Sequence, residues 1–224
     1  MKKILLYLLF FGITLNGFSQ KQEKFQDQDP KAKVILDKLS KKHKAIDNIV
    51  IDFSAKISGA KIATQKLQGK AYKTAKKYAY VTKDYTVISD GKSNWTYVKK
   101  DNEVTINSEE DAEEEGALMN PSKLLSIWEK GFKYKYLGIK KVGNTKVQII
   151  KLFPKNTKKS KFHTIELHVN KALNELSKII IKGRDGINMD FTISKFKSGV
   201  KIPAKTYKFD KSQYPNCEEN DMRF

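Results

Sequence analysis

Apolar and polar residues alternate with a period of two along most of the chain, a pattern typical of β-strands with one buried face. The clearest stretch runs from Ile49 to Ile57, where every odd-numbered residue is apolar and most even-numbered residues are polar. Strands with one buried and one solvated face are typical of antiparallel sheets. The pattern therefore predicts a mainly β protein built from antiparallel strands.

A hairpin is predicted at the centre of the chain. Two alternating segments flank Asp90-Gly91, and glycine suits such a turn because it adopts positive φ without a steric clash. The second arm carries Trp95 and Tyr97 on the same side of the strand. We therefore expect an antiparallel hairpin with large aromatic residues on one face.

Two segments change to helical spacing. The first begins at Pro30, where the missing N–H costs nothing, has Asp29 as its predicted N-cap and extends to about Ala45. The second begins at Pro121 and ends at Gly131. Apolar residues at helical spacing define the buried stripe of each helix: Val34, Ile35, Leu39 and Ile46 in the first, and Leu124, Leu125, Ile127 and Trp128 in the second. A short, very apolar helix between strands is expected to cover the sheet.

Short turns divide the chain into about ten strands. Besides 49–57 and the central hairpin, they cover residues 66–72, 78–82, 103–107, 132–136, 146–153, 161–169, 176–182, 187–196 and 206–210. Gly69 interrupts one of them and is expected to mark a bend or bulge. Because a long antiparallel sheet tends to curl or close, the predicted fold is mainly β (α+β). It is a single domain over residues 21–224, an incomplete antiparallel β-barrel or curled sheet with an N-terminal helix and an inserted lid helix.

The apolar faces of these strands allow two interpretations. They could form an ordinary packed core. Alternatively, because a curled sheet has more inward surface than one helix fills, they could line an apolar cavity. The residues predicted to line this cavity are Ile51, Phe53, Ala55, Tyr78, Tyr80, Val87, Trp95, Tyr97, Phe132 and Tyr134. The residues predicted to form the lid are Ile35, Leu39, Leu124, Leu125, Ile127 and Trp128.

The N-terminus has the three parts of a secretory signal peptide. Lys2 and Lys3 provide a basic start, residues 4–13 form an apolar run, and a small, polar region follows. Cleavage is expected after Ser19 or Gln20, so residues 1–20 are predicted to be removed on export.

Lysine dominates the charge of the chain. There are 44 Lys and Arg residues against 25 Asp and Glu, which gives a formal net charge of +19, and Arg184 and Arg223 are the only arginines. Loss of Lys2 and Lys3 with the leader takes this charge from +19 to +17. Proteins that read nucleic acid usually use arginine for bidentate contacts, so no nucleic-acid partner is expected. A lysine-rich surface fits solubility or loose attraction to anionic surfaces better.

The candidate chemistry is sparse. His163 and His168 bracket Glu166, but on a strand His163 points away from the other two, which leaves only a pair of metal ligands. The sequence contains no Gly-x-Ser-x-Gly elbow and no Walker or dinucleotide-binding loop. We therefore predict that the protein is not an enzyme and has no metal site.

Two features keep alternative interpretations. The acidic run at 109–115 could dock a basic partner or gate a cavity mouth, or it could be a solvated loop. Cys217, the only cysteine, could be a reactive thiol or a tolerated residue of the C-terminal tail. One cysteine forms no internal disulfide, so the stability of the chain must come from its core.

Motifs spread over nearly all of the chain after the leader carry a family resemblance. The most specific is Ser89-Asp90-Gly91-Lys92 followed by Trp95 and Tyr97. The others, in chain order, are the Pro30 helix with Ala32, Ile35 and Leu39; Asp52-Phe53; Gly69; Asn102-Glu103-Val104; Asn120-Pro121-Ser122-Lys123-Leu124-Leu125; Gly131-Phe132-Lys133; Leu152 and Pro154; and Tyr214-Pro215 with Asp221-Met222-Arg223. Together they resemble the periplasmic outer-membrane lipoprotein carrier family, LolA, in its Bacteroidetes-type form.

The resemblance implies an incomplete antiparallel barrel with helices packed as a lid, whose apolar interior binds the acyl chains of lipoproteins. It also implies a monomeric periplasmic carrier without a cofactor. Such a carrier takes acylated lipoproteins from an inner-membrane ATP-driven release complex to an outer-membrane acceptor. The alternative is a periplasmic module on the same fold that senses lipid or polyanion without shuttling, and the charge of +17 motivates it.

One family feature is missing at its expected position. Members studied as models have an arginine after the second strand that bonds to the lid backbone and holds the empty carrier closed. The matching stretch here is Thr74-Ala75-Lys76-Lys77, in which Ala75 is nearest by spacing. Lys76 could substitute only as a point charge, without a planar fork, and is the predicted gate residue.

Overall fold

The computed structural model describes residues 27–110 and 121–223. The predicted signal peptide and residues 111–115 of the acidic run lie outside these ranges. Within them the strands are β1 (Asn48–Gly59), β2 (Ile62–Thr74), β3 (Lys77–Thr82), β4 (Tyr85–Ser89), β5 (Ser93–Val98), β6 (Glu103–Ser108), β7 (Phe132–Val142), β8 (Thr145–Pro154), β9 (Phe162–Asn170), β10 (Glu175–Gly183), β11 (Asn188–Ser198) and β12 (Glu218–Asp221). The helices are α1 (Pro30–Lys44), the four-residue α2 (Pro121–Leu124) and two 3-10 helices, Ala204–Tyr207 and Lys211–Gln213. None of the helices in the described ranges is long and apolar enough to cross a membrane.

All of these strands belong to one sheet, in the order β12-β6-β5-β4-β3-β2-β1-β11-β10-β9-β8-β7. Most neighbours are joined by antiparallel hairpins, whereas β12 runs parallel to β6. β11 returns to pair with β1 and so joins the two halves of the sheet, and α2 lies in the connection between β6 and β7. The sheet is curled but not closed, which confirms the predicted fold class.

Helix α1 begins where the sequence predicts. Oδ1 of Asp29 accepts hydrogen bonds from the backbone N–H groups of Lys31 (2.9 Å) and Ala32 (3.1 Å), and Oδ2 accepts one from the N–H of Tyr136 on β7 (3.1 Å). One carboxylate therefore caps the helix and fixes its start to the sheet. The buried residues of α1 are Ala32, Ile35, Leu36 and Leu39. Val34, predicted in this stripe, is instead 55% exposed.

Two predicted elements differ from the structure. The second helix ends at Leu124 instead of Gly131, and turns connect it to Gly131, whose φ is +83°. The strand predicted at 206–210 is wrong, because a 3-10 helix starts at Ala204 and Tyr207 packs against the sheet at Ala79. The last strand is β12, further along the chain, where it pairs with β6.

Gly69 marks a close approach between neighbouring strands. The register from β2 to β1 passes through Gly69 without a shift, and the pairing of β2 with β3 begins at Gly69, so the predicted bulge is wrong. A Cβ at this position would lie 2.3 Å from the carbonyl oxygen of Val81 and 3.1 Å from Cζ of Phe53. Glycine is required here because the neighbouring strand and the Phe53 ring occupy the space of a side chain.

Candidate functional site

One face of the sheet, called here the inner face, packs against α1 and against residues 121–130. We call residues 121–130, which include α2, the lid segment. Its buried residues Leu124, Leu125 and Trp128 belong to the same apolar cluster as Ile35 and Leu39 of α1 and the inner-face residues. The inner-face members of this cluster are Ile49, Ile51, Phe53, Ala55, Leu67, Ala71, Tyr78, Tyr80, Val87, Tyr134, Ile150, Leu152, Ile165, Leu167, Val169, Leu176, Ile179, Ile181, Met189, Phe191 and Ile193. The cluster therefore runs continuously from β4 to β7 under both helical segments.

Most residues predicted for the cavity and lid lie in this cluster. The buried ones are Ile51, Phe53, Ala55, Tyr78, Tyr80, Val87, Tyr134, Ile35, Leu39, Leu124, Leu125 and Trp128. Phe132 and Ile127 are partly buried and pack against them. The ring of Phe53 stacks on that of Phe191, with 5.0 Å between centroids. The structure thus brings these residues together in one apolar cluster on one side of the sheet.

Trp95 and Tyr97 lie on the opposite face, so their predicted placement in the interior is wrong. In the β4–β5 hairpin Val87 pairs with Thr96 and Ile88 pairs with Trp95. Cross-strand partners share a face, so Val87 and Trp95 point to opposite sides. The alternation within each strand is correct, but the register of the hairpin decides which side the aromatic residues take.

The two aromatic residues support the C-terminal segment instead. The Trp95 ring stacks on Phe209 (6.4 Å between centroids), and Tyr97 packs against Tyr214 (4.3 Å). Cys217 is buried in the same cluster as Tyr97, and burial raises the pKa of its thiol. The outer face of this hairpin therefore has a structural partner within the chain.

Three polar contacts connect α1 to the lid segment. Nδ1 of His43 lies 2.9 Å from the carbonyl oxygen of Leu125, and Nε1 of Trp128 donates to Oγ of Ser40 (2.8 Å). Nζ of Lys44 lies 3.3 Å from Oε1 of Glu129. Because a carbonyl oxygen only accepts, Nδ1 of His43 carries a proton in this bond. We call these three contacts the latch.

Leu125 and Trp128 of the latch are predicted lid residues, whereas Ser40, His43, Lys44 and Glu129 were not predicted from the sequence. A lone histidine at the lysine-rich end of a helix has no local signal that distinguishes it from a surface residue. Lys76, the predicted gate, lies in the exposed turn between β2 and β3. This turn is close to Gly91, since a Cβ added at Gly91 would lie 3.3 Å from the Cβ of Lys76. Its role as a gate stays a prediction, whereas His43 bonds directly to the lid backbone.

The surroundings of His43 disfavour protonation of its imidazole. Burial lowers the pKa of its imidazole below the ordinary 6.5; nearby Lys42 and Lys73 lower it further, while the Leu125 carbonyl and Glu175 act in the opposite direction. The ring also packs on Trp128 and Phe196. Its Nε2 is buried without a hydrogen-bond partner in the described residues, so a second proton would have no acceptor there.

We expect the free energy of unfolding to fall as pH decreases below about 6.5, the ordinary pKa of histidine. Below about pH 6.5 the unfolded chain takes up a proton at His43 that the folded chain binds less readily, so acidification favours unfolding. Denaturant unfolding at about pH 7.5 and about pH 5.5 measures the loss. His43→Gln should reduce the pH dependence, whereas His163→Gln, at an exposed strand position, should leave it unchanged. Equal pH dependence in all three proteins would contradict this assignment.

The described residues contain few other groups that could carry out chemistry or bind a metal. Glu166 and His168 form the expected pair on β9, with 2.6 Å between Oε1 and Nε2. Residues 27–110 and 121–223 contain no group of three His, Cys, Asp or Glu placed to hold a metal ion. Of the acidic run, Glu109 accepts a hydrogen bond from Oγ of Ser89 (2.6 Å). The site is therefore an apolar one with a polar latch.

Comparisons with known proteins address the family and the fold. The sequence model of the family described as outer membrane lipoprotein carrier protein LolA matches residues 22–186. No curated protein sequence matches the chain. An uncharacterized conserved protein from Thermus thermophilus has a similar structure, with 12% identity and a TM-score of 0.56 over 85% of this chain and 99% of that one. This similarity supports the fold alone.

Two further solved structures are similar at lower scores. Lipoprotein LppX from Mycobacterium tuberculosis is 13% identical with a TM-score of 0.49, over 79% of this chain and 100% of that one. A LolA superfamily protein from Nitrosomonas europaea is 10% identical with a TM-score of 0.44, over 80% of this chain and 98% of that one.

Proposed function

We propose that this chain, which belongs to the family of outer membrane lipoprotein carrier protein LolA, is a periplasmic carrier of lipoproteins. Their acyl chains bind between the inner face of the sheet and the lid segment. Its partners are acylated lipoproteins, an inner-membrane ATP-driven release complex and an outer-membrane acceptor. It acts as a monomer, without a cofactor and without catalysis, after the signal peptide is removed.

The observation that carries this proposal is the composition of the contact between lid and sheet. Leu124, Leu125 and Trp128 bury their side chains in the inner-face cluster, and each is no more than 4% exposed. Acyl chains could replace such apolar contacts with others of the same kind, and each buried methylene contributes about 0.8 kcal/mol. The exchange therefore needs little net free energy, which suits a protein that must both load and release its cargo.

The strength of the latch also supports the proposal, because it determines how easily the lid segment can open. It consists of three polar contacts, one of them between the partly exposed side chains of Lys44 and Glu129. A hydrogen bond contributes roughly 0.5–1.5 kcal/mol net, and an exposed ion pair less. The latch is therefore strong enough to favour the closed arrangement and weak enough for a bound acyl chain to open it.

A binding measurement tests the proposal. A synthetic diacylated lipopeptide should bind saturably, and the same peptide without acyl chains should bind at least about a hundredfold more weakly, because tenfold in affinity needs only about 1.4 kcal/mol. Isothermal titration calorimetry on the mature protein gives both dissociation constants. Equal affinity for the two peptides, or no binding of the acylated one, would contradict a role in acyl-chain transport.

The alternative function is a module that senses lipid or polyanion, and the net charge favours it. Salt separates the two, because screening weakens binding between charged surfaces and leaves apolar burial largely unaffected. We expect the affinity for the lipopeptide to persist as salt is raised. Polyanion binding that disappears with salt, in the absence of lipopeptide binding, would favour the alternative.

A further inference from the structure

A second surface, at the edge of the inner face where α1 meets β7 and β8, has the features of a ligand site; Ile35 and Tyr136 connect it to the inner-face cluster. A groove of about 990 Å³ lies between α1 and strands β7 and β8, and the turn between β9 and β10 forms one end. Its floor includes Val34 and Ile35 of α1 and Tyr136 of β7. Val34 is 55% exposed and lies on the solvent side of α1 beside the buried Ile35, so the groove offers accessible apolar surface.

The apolar floor continues along β7. Ile139 pairs with Gln148, which lines the groove, and cross-strand partners share a face. Ile139 is 50% exposed. A strip of accessible apolar surface therefore runs from α1 towards the edge strand, and a single hydrocarbon chain could lie along it.

Lysine forms the rim of this groove. Among the described residues, twelve line the groove; five of these are lysines and none is acidic, and the lysines are Lys31, Lys38, Lys41, Lys42 and Lys171. Lys42 forms an ion pair with Glu175 at 2.8 Å. The other four side chains have no carboxylate within ion-pair distance among the described residues. Within the part of the chain that the structure describes, the positive charge at the rim is therefore largely uncompensated.

We propose that this groove binds an anionic amphiphile, with its hydrocarbon chain on the floor and its phosphate or carboxylate among the rim lysines. The neighbouring Lys38 and Lys41, on successive turns of α1, are the principal contacts of the anionic group. A neutral lipid would leave the lysines unpaired, and a polyanion without a chain would gain nothing from the exposed floor. The site thus adjoins the proposed acyl-binding interior, and its anionic group is bound by lysines that are not part of that interior.

Dodecyl phosphate below its micellar concentration is a suitable probe. Inorganic phosphate, which has the anionic group without the chain, and dodecyl maltoside, which has the chain without the charge, are the comparison compounds. The mature protein should bind dodecyl phosphate more tightly than either comparison compound.

Lys38→Glu/Lys41→Glu should weaken this binding at least about tenfold, since two attractive contacts become repulsive. Val34→Asp, at an exposed position, should weaken it as well. Lys158→Glu/Lys159→Glu carries the same charge change in a distant exposed loop and should alter the affinity by less than about twofold.

The outcomes separate this inference from the proposed carrier function. Retained lipopeptide binding in Lys38→Glu/Lys41→Glu, together with lost dodecyl phosphate binding, supports two sites. Equal losses in the groove variant and the loop control would overturn the inference, because net charge alone would then explain binding. Equal affinity for dodecyl maltoside or inorganic phosphate would also overturn it. Binding of dodecyl phosphate without any binding of lipopeptide would contradict the carrier function and leave the groove site standing.

Discussion

Cross-linking the lid segment to α1 should abolish binding of a diacylated lipopeptide. Lys44 and Glu129 already form an ion pair between the two elements and are exposed enough to modify. A short, reducible cross-linker between cysteines at these positions, in Lys44→Cys/Glu129→Cys, holds the lid segment against α1. If acyl chains enter by displacing Leu124, Leu125 and Trp128 from the inner face, the linked protein has no space for them.

We expect the affinity to fall at least about a hundredfold in the linked protein and to recover when the linker is reduced, since loss of even a few buried methylenes costs that much. The matched control is Lys211→Cys/Glu219→Cys, a contacting pair near the C-terminus. Linking that pair should leave lipopeptide binding unchanged. Full affinity in the linked Lys44→Cys/Glu129→Cys protein would show that the lid does not have to move.

Gly69→Val should destabilise the fold more than most single substitutions. A Cβ at this position would lie 2.3 Å from the Val81 carbonyl oxygen, a distance that real side chains do not reach, and close to the Phe53 ring. β2 and β3 would have to separate, or Phe53 would have to leave its place against Phe191. We expect the free energy of unfolding to fall by about 3 kcal/mol or more, because overpacking here meets backbone and not a flexible side chain.

The control for this prediction lies one residue away. Gln68 is exposed on the same strand, and Gln68→Val should change stability by no more than about 0.5 kcal/mol. Denaturant unfolding of the three proteins gives the comparison. Equal stability of Gly69→Val and the wild type would mean that the two strands are further apart than the structure shows.

Local patterns in the sequence specify much of this fold. Alternation locates β1 and the central hairpin, Asp29-Pro30 locates the start of α1, and Gly91 locates a turn, where its φ is +88°. Each of these features depends on neighbouring residues only. They were accordingly predicted in the right places and with the right type.

Two features that depend on distant residues were not predicted correctly. The face taken by Trp95 is set by the register of its hairpin and by Phe209 in the C-terminal segment, neither of which alternation reveals. β12 pairs in parallel with β6, more than a hundred residues away along the chain, as the bond from Asn220 to Glu103 (|i−j| of 117) illustrates. Its four polar residues carry no strand signal.

The latch and the lysine groove had the same limitation. His43 becomes distinctive only when the fold places it beneath the carbonyl of Leu125, 82 positions further along the chain. From the sequence alone, the lysines of α1 have the pattern of an ordinary solvated face. In the fold, β7 and β8 lie opposite them and complete a groove. Sequence composition indicated attraction to anions, and only the structure assigns that attraction to a particular groove.

Photo-cross-linking tests the central claim most directly. A diacylated lipopeptide with a photoreactive group near the end of one chain is bound to the mature protein and irradiated, and the modified residues are identified by mass spectrometry. If acyl chains bind beneath the lid segment, adducts should form on the inner face and the underside of the lid segment, at residues such as Phe53, Tyr80 and Leu125. Adducts confined to the opposite face, at Trp95 or Phe209, or no specific adduct at all, would contradict it.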